Sequence, residues 1–153
     1  MIQSGDKAPA FELPDADMTI VKSDDYRDTH YVVYFYPKDD TPGCTIEAND
    51  FSDLMTEFEA LNTRIIGVSK DNCISHGKFR DKYGLTITLL ADVDGLMCEA
   101  YGVWQEKEKN GEKKMGIVRS TFVIDKTGTV RHALYDVKPK GHAEQVLELV
   151  KQL

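Results

Sequence analysis

The chain has 153 residues, 41% of them apolar and 29% charged, which suits a single domain, residues 1–153, with a core of its own. Its net charge of −7 argues against nucleic acid or an anionic membrane surface as a partner, because both are bound through basic patches. No apolar run approaches the roughly 18 residues that a membrane span needs.

In chain order, short β-branched or aromatic runs alternate with segments whose apolar residues recur at helical spacing. The predicted strands cover residues 11–13, 18–21, 31–36, 64–69, 86–91, 120–125 and 129–135, the last two forming a hairpin. The predicted helices cover residues 42–61, 71–83, 96–101 and 143–152. Residues 105–114 mix both signs of charge around Asn110-Gly111 and are predicted to form a solvated loop. This order predicts the α/β class: a thioredoxin-like fold whose central mixed β-sheet has helices on both faces.

Three cysteines, Cys44, Cys73 and Cys98, are an odd number and have no metal-type spacing. They do not resemble a secreted disulfide framework, and residues 1–6 lack the pattern of a secretory signal, so we expect a reducing, cytoplasmic location. A cysteine there is either a buried packing residue or a reactive thiol. We expect no metal site, since neither the cysteines nor the histidines have ligand spacing, and no bound nucleotide, since phosphate-binding glycine motifs are absent.

The segment Thr41-Pro42-Gly43-Cys44 joins the strand at residues 31–36 to the following helix. Thr41 is a good N-cap, and Pro42 is tolerated in the first helical position, so Cys44 falls in the first turn. The unpaired N–H groups and the helix dipole there favour thiolate over thiol, and the Thr41 hydroxyl can lie beside the sulfur. Gly43 permits a substrate to approach the backbone.

Charged residues from two parts of the chain bear on this thiol. Asp39 and Asp40 precede the turn and would disfavour a thiolate if they lay close to it. Arg119, directly before the late strand, is the cation expected to offset them. A cysteine that merely packs beneath the helix start is the less favoured reading, since the cap, proline and glycine all bear on one sulfur.

The pattern Pro37-x-x-x-Thr41-x-x-Cys44, with Arg119 before a late strand, resembles the active-site motif of the peroxiredoxins. The run FYPKDDTPGCTIEA is similar to the subfamily called bacterioferritin comigratory protein or peroxiredoxin Q. The likeness extends over nearly the whole chain, through GDKAPAFELPD, IIGVSKD, YGVWQEK and GIVRSTFVID.

The resemblance implies a thiol peroxidase that reduces hydrogen peroxide and small organic hydroperoxides without a cofactor. Cys44 would be the peroxidatic cysteine, and Thr41 would align the peroxide. Arg119 would stabilise the thiolate and the breaking O–O bond, and Pro37 would shield the sulfur from water. The reductant would be thioredoxin, glutaredoxin or glutathione, and the subfamily makes a monomer the expectation.

The sequence departs from the subfamily where a resolving cysteine is expected. The two usual positions hold Asn49 and Arg80. One interpretation is a one-cysteine enzyme whose sulfenic acid is reduced by an external thiol. The alternative is that Cys73 resolves it from the start of the next helix, which Asp71 can cap. Cys98 is expected to be a core residue.

Two other classes of function stay open at this stage. A thioredoxin-like disulfide reductase would need a second cysteine close behind Cys44, and the sequence has none there. A non-catalytic binding protein of the same fold would have an unreactive Cys44. Glu47, one turn after Cys44, is expected to face solvent, the alternative being that it assists proton transfer or orients Arg119. Trp104 is expected to pack, and the four histidines to be surface or partly packed residues without a metal site.

Overall fold

The computed structural model describes residues 1–153. The strands are β1 Glu12–Pro14, β2 Ile20–Lys22, β3 His30–Phe35, β4 Thr63–Ser69, β5 Thr88–Ala91, β6 Trp104–Lys109, β7 Glu112–Ile117, β8 Ser120–Ile124 and β9 Val130–Leu134. The helices are α1 Pro42–Asp53, α2 Met55–Ala60, α3 Cys73–Tyr83, α4 Leu96–Ala100 and α5 His142–Val150, with a 3-10 helix at Ser23–Tyr26. None of these helices is both long and apolar enough to cross a bilayer.

The central sheet has five strands in the order β5-β4-β3-β8-β9. β3 runs parallel to β4, and β4 parallel to β5, whereas β8 and β9 are antiparallel additions. β3 is the middle strand, and all of its residues after His30 are buried, as its continuous apolar run predicts. The predicted mixed, thioredoxin-like sheet is therefore confirmed.

Alternate residues of β3 supply two separate cores, one on each face of the sheet, because side chains along a strand point to opposite faces. Val32 and Tyr34 belong to the first core, which contains residues of α1, α2, α3 and α5. Val33 and Phe35 belong to the second, which contains residues of α4, β7 and the N-terminal segment. Helices on both faces, as predicted, enclose the sheet.

Two local predictions are wrong. The helix expected over residues 42–61 is interrupted at Leu54, directly after Ser52-Asp53, two residues of modest helix propensity. Residues 105–114 do not form a loop, because β6 and β7 pair as an antiparallel hairpin. Asn110 and Gly111 form its tip, both with positive φ, which is the backbone of the tight hairpin turn that Asn-Gly favours.

Candidate active site

The sheet topology brings three segments that are distant in sequence to one edge. β3 and β4 are parallel, so the starts of α1 and α3, which follow them, lie at the same edge of the sheet. β8 is antiparallel to β3, and its first residue, Ser120, pairs with Phe35 at the end of β3. Arg119 therefore lies where β3 ends, directly beside the segment that leads into α1.

Cys44 is the third residue of α1, and only 1% of its surface is exposed. The Nη2 group of Arg119 lies 3.4 Å from its sulfur and donates a hydrogen bond to it. The guanidinium thus places a positive charge and a hydrogen-bond donor directly against the sulfur. The predicted pairing of Arg119 with the first turn of α1 is thus present in the structure.

Glu47 holds the other side of the same guanidinium. Arg119 donates from Nη1 to Glu47 Oε1 over 2.6 Å, and Glu47 is fully buried rather than facing solvent as expected. Burial raises the pKa of Glu47 to about 7, although Arg119 acts in the opposite direction. Burial disfavours the charge of Arg119 too, but the Glu47 carboxylate and the Cys44 sulfur outweigh it and raise the pKa of Arg119.

The sequence did contain a signal for Glu47. A residue three positions after Cys44 on a helix lies on the same face, so it faces whatever the cysteine faces. Its second carboxylate oxygen, Oε2, is buried and has no hydrogen-bond partner. Burial, which leaves this oxygen unsatisfied, raises the pKa of Glu47, and it outweighs the ion pair with Arg119, which lowers it.

Thr41 and Pro42 occupy the predicted positions at the start of α1, but the cap differs from the expected one. Thr41 has the extended backbone of an N-cap residue, and its side chain makes no capping hydrogen bond. Its hydroxyl instead donates to the Lys38 carbonyl over 2.9 Å. Gly43 makes room for Arg119, because a Cβ at this residue would lie 3.2 Å from Arg119 Nη2 and 3.3 Å from Pro139 Cγ.

The two acidic residues before α1 have partners of their own. Asp39 is buried and accepts hydrogen bonds from the hydroxyls of Tyr36, at 2.6 Å, and Ser75, at 2.7 Å. Asp40 forms an ion pair with Lys82 at 2.8 Å. Both carboxylates thus have partners within the fold, so neither is the unpartnered anion that the sequence raised as a concern.

His76 departs from the prediction that the histidines are surface or partly packed residues. It is fully buried in α3, with Nδ1 2.7 Å from Asp39 Oδ2 and Nε2 donating to the Leu90 carbonyl over 2.9 Å. One oxygen or nitrogen from each of Asp39, Asp71 and His76 lies within 4.8 Å of the others, a proximity that sequence spacing did not reveal. Asp71 accepts from the Asp39 N–H, and Asn72, not Asp71, caps α3.

His142 is buried as well, 2.7 Å from the Thr121 hydroxyl.

The remaining residues that the sequence singled out make no hydrogen bond to Cys44, Arg119 or Glu47. Pro37 follows β3 and is exposed. Cys73 is the first residue of α3 and partly buried, and all three cysteines are free thiols. Cys98 is fully buried, where desolvation and the neighbouring Asp92 raise its pKa, in keeping with a packing role. Trp104 is half-buried, with the Lys70 ammonium 4.0 Å above its ring.

The sheet is mixed and thioredoxin-like, and a buried cysteine at a helix start accepts a hydrogen bond from an arginine. This combination is typical of the class of thiol-dependent peroxidases. The sequence profile described as AhpC/TSA family matches residues 4–133. Peroxiredoxin Bcp of Bacillus subtilis is 45% identical over 152 residues, 99% of this chain and 97% of that protein. Peroxiredoxin Bcp of Escherichia coli is 39% identical over 151 residues, with the same coverage of both chains.

Solved structures agree with these relatives. A cysteine-to-serine mutant of Xylella fastidiosa PrxQ superposes with a TM-score of 0.95 at 37% identity and covers 99% of this chain and 97% of that chain. Bacterioferritin comigratory protein of Xanthomonas campestris, described for its alkyl peroxide reduction activity, gives 0.89 at 39% identity, covering 93% of this chain and 90% of that chain. The chain belongs to the AhpC/TSA family, as a peroxiredoxin of the Bcp or peroxiredoxin Q type. It is an enzyme, a thiol-dependent peroxidase, so the disulfide-reductase and non-catalytic alternatives are set aside.

Proposed function

We propose that Cys44 is the peroxidatic cysteine, and the hydrogen bond from Arg119 Nη2 to its sulfur is the observation that carries this assignment. The Cys44 thiolate attacks one peroxide oxygen, a new S–O bond forms, and the O–O bond breaks. The leaving oxygen takes a proton and departs as water or an alcohol, and Cys44 is left as sulfenic acid. Arg119 stabilises first the thiolate and then the negative charge on the leaving oxygen.

Thr41 is proposed to align the peroxide. Its hydroxyl proton is directed to the Lys38 carbonyl, which leaves the oxygen lone pairs free to accept a hydrogen bond from the peroxide O–H. Pro37, exposed directly after β3, is proposed to limit the access of water to the sulfur. The near-complete burial of Cys44 supports a preference for small substrates, hydrogen peroxide and small organic hydroperoxides.

The sulfenic acid is proposed to be reduced directly by an external thiol. Asn49 and Arg80 occupy the two usual resolving positions, which supports a one-cysteine cycle. Cys73 is the competing candidate, because α1 and α3 begin at the same edge of the sheet. Asp39, which precedes α1, bonds to Ser75 and His76 of α3 and so links the two helix starts, at which both cysteines are free thiols.

We further propose thioredoxin, glutaredoxin or glutathione as the reductant. Ile46 and Ile74, each close in sequence to a cysteine of this edge, are exposed and offer apolar contact to a protein thiol. Three free cysteines support a reducing, cytoplasmic setting. A monomer and a single domain over residues 1–153 complete the proposal, the latter supported by the one central sheet that both cores share.

Peptide mass analysis after one equivalent of hydrogen peroxide, with a sulfenic-acid trap and no reductant, tests the assignment. We expect the trap adduct on Cys44 alone, and none in Cys44→Ser. Cys73→Ser is the matched control, and it retains turnover with an added thiol if the cycle uses one cysteine. A Cys44–Cys73 disulfide would assign Cys73 as resolving, whereas an unmodified Cys44 would contradict the peroxidatic assignment.

A further inference from the structure

A cavity lies at the opposite edge of the central sheet from Cys44. It has a volume of about 300 Å³, at the lower end of the range for small-molecule sites. Tyr31 near the start of β3 lines it, whereas Cys44 follows the end of that strand, so roughly 13 Å of strand, from Tyr31 to Phe35, separates the two places. The peroxidase chemistry therefore does not use this cavity.

The lining of the cavity is basic although the chain as a whole carries a charge of −7. Lys7, Arg27 and Lys126 line it, and Asp24 is its one acidic residue. Asp24 pairs with Arg27 at 3.4 Å in an exposed contact, which contributes little. Lys7 and Lys126 have no ion-pair partner within the chain, so the cavity presents a net positive charge.

Tyr31 adds a polar group that the fold itself leaves unused. Only 5% of its surface is exposed, it lines the cavity, and its hydroxyl makes no hydrogen bond to the protein. Burial raises the pKa of Tyr31 to about 12, so the phenol keeps its proton and is a hydrogen-bond donor at neutral pH. The carboxylate of nearby Asp125 is occupied by Thr127 and Arg131 and does not accept from it.

The apolar part of the lining is also defined. Ala8 and Ala10 line it, and Tyr26, whose ring centroid is 5.3 Å from that of Tyr31, supplies an aromatic wall. A ligand matched to this lining carries an anionic group for the cations and the phenol, and a small planar apolar part for the wall.

We propose that this cavity binds a small organic anion, an aromatic or similarly planar phosphate or carboxylate, whose charged group lies between Lys7, Lys126 and the Tyr31 hydroxyl. The ligand binds independently of the peroxide, since its contacts are all at the far edge of the sheet.

Calorimetric titration of the full chain with phenyl phosphate at low ionic strength tests the proposal. We expect saturable binding at one site that weakens in added salt. Tyr31→Phe removes only the unpaired hydroxyl and is expected to weaken binding about tenfold, the loss of one hydrogen bond to a charged group. Lys126→Gln is expected to weaken it several-fold, and the matched control Lys113→Gln, an exposed lysine of β7, to leave it unchanged.

Peroxidase turnover is expected to stay unchanged in all three variants, which verifies that each is folded. Inorganic phosphate is the probe for an anion site without a ring contact, and benzyl alcohol the probe for a ring contact without charge. Both are expected to bind more weakly than phenyl phosphate. Absence of saturable binding at millimolar phenyl phosphate, equal affinity of Tyr31→Phe and the parent, or equally tight binding of either simpler probe would overturn the proposal.

Discussion

Replacing Glu47 by glutamine tests the electrostatics of the site, because it retains the shape of the fully buried side chain and removes its charge. The pKa of Glu47 in the folded protein is about 7, above its ordinary value of 4.5. The folded state therefore holds the proton more tightly, and the stability from this group is complete below about pH 4.5 and is lost as pH rises to about 7. The slope is about 1.4 kcal/mol per pH unit, a total of about 3 kcal/mol.

Urea unfolding of the parent chain and Glu47→Gln, at intervals from about pH 5 to pH 8, measures this difference. The free energy of unfolding of the parent is expected to fall relative to that of the variant as pH rises. Glu57→Gln, an exposed glutamate of α2, is the control, and its pH profile should follow the parent. Glu47→Gln also removes the anion that pairs with Arg119, which lowers the overall stability of the variant. The test therefore compares how the free energy of unfolding changes with pH, not its absolute value. Parallel profiles for the parent and Glu47→Gln would refute the reasoning.

Three further substitutions follow from individual contacts. Arg119→Lys loses the planar pair of donors to Cys44 and Glu47, so kcat/KM for hydrogen peroxide is expected to fall about a hundredfold or more. Lys140→Arg, a substitution of an exposed lysine, is the control and should leave kcat/KM unchanged. Gly43→Ala places a Cβ 3.2 Å from Arg119 Nη2, so a fall of about tenfold with unchanged unfolding is expected, and full activity would contradict the close approach. Tyr34→Phe removes a buried hydroxyl without a partner and should raise the free energy of unfolding by about 1 kcal/mol, whereas a loss of stability would reveal a hidden bond.

Several features of the fold were predictable because they depend on neighbouring residues. The aromatic and β-branched run of β3 specifies a buried strand wherever it lies in a sheet. Pro42 after Thr41 specifies a helix start, and Gly84, with φ of 63°, ends α3 in the left-handed backbone that glycine favours. The β6–β7 hairpin was missed because its strands are polar on nearly every side chain, so no alternation of apolar residues marked them.

The candidate site was predictable only in part. The position of Cys44 at a helix start follows from local sequence. The cation predicted beside it, Arg119, does lie there, with Nη2 3.4 Å from the Cys44 sulfur. The shared helix face of Glu47 and Cys44 was readable from their spacing, but the burial of Glu47, Asp39 and His76 was not. Burial of a charged group depends on which elements cover it, and sequence periodicity cannot distinguish a covered helix face from a solvated one when the face carries a carboxylate.

The sequence by itself determined a thiol in the first turn of a helix after a central strand, because capping and strand formation are local interactions. Only the tertiary structure decided which charges surround that thiol. Arg119 lies 75 residues from Cys44 in the sequence and 72 from Glu47, and sheet pairing brings them within hydrogen-bonding distance. Coulomb energies depend on these distances in space and on burial. The electrostatic environment of Cys44 therefore depends on residues that are distant in sequence and that folding brings beside it.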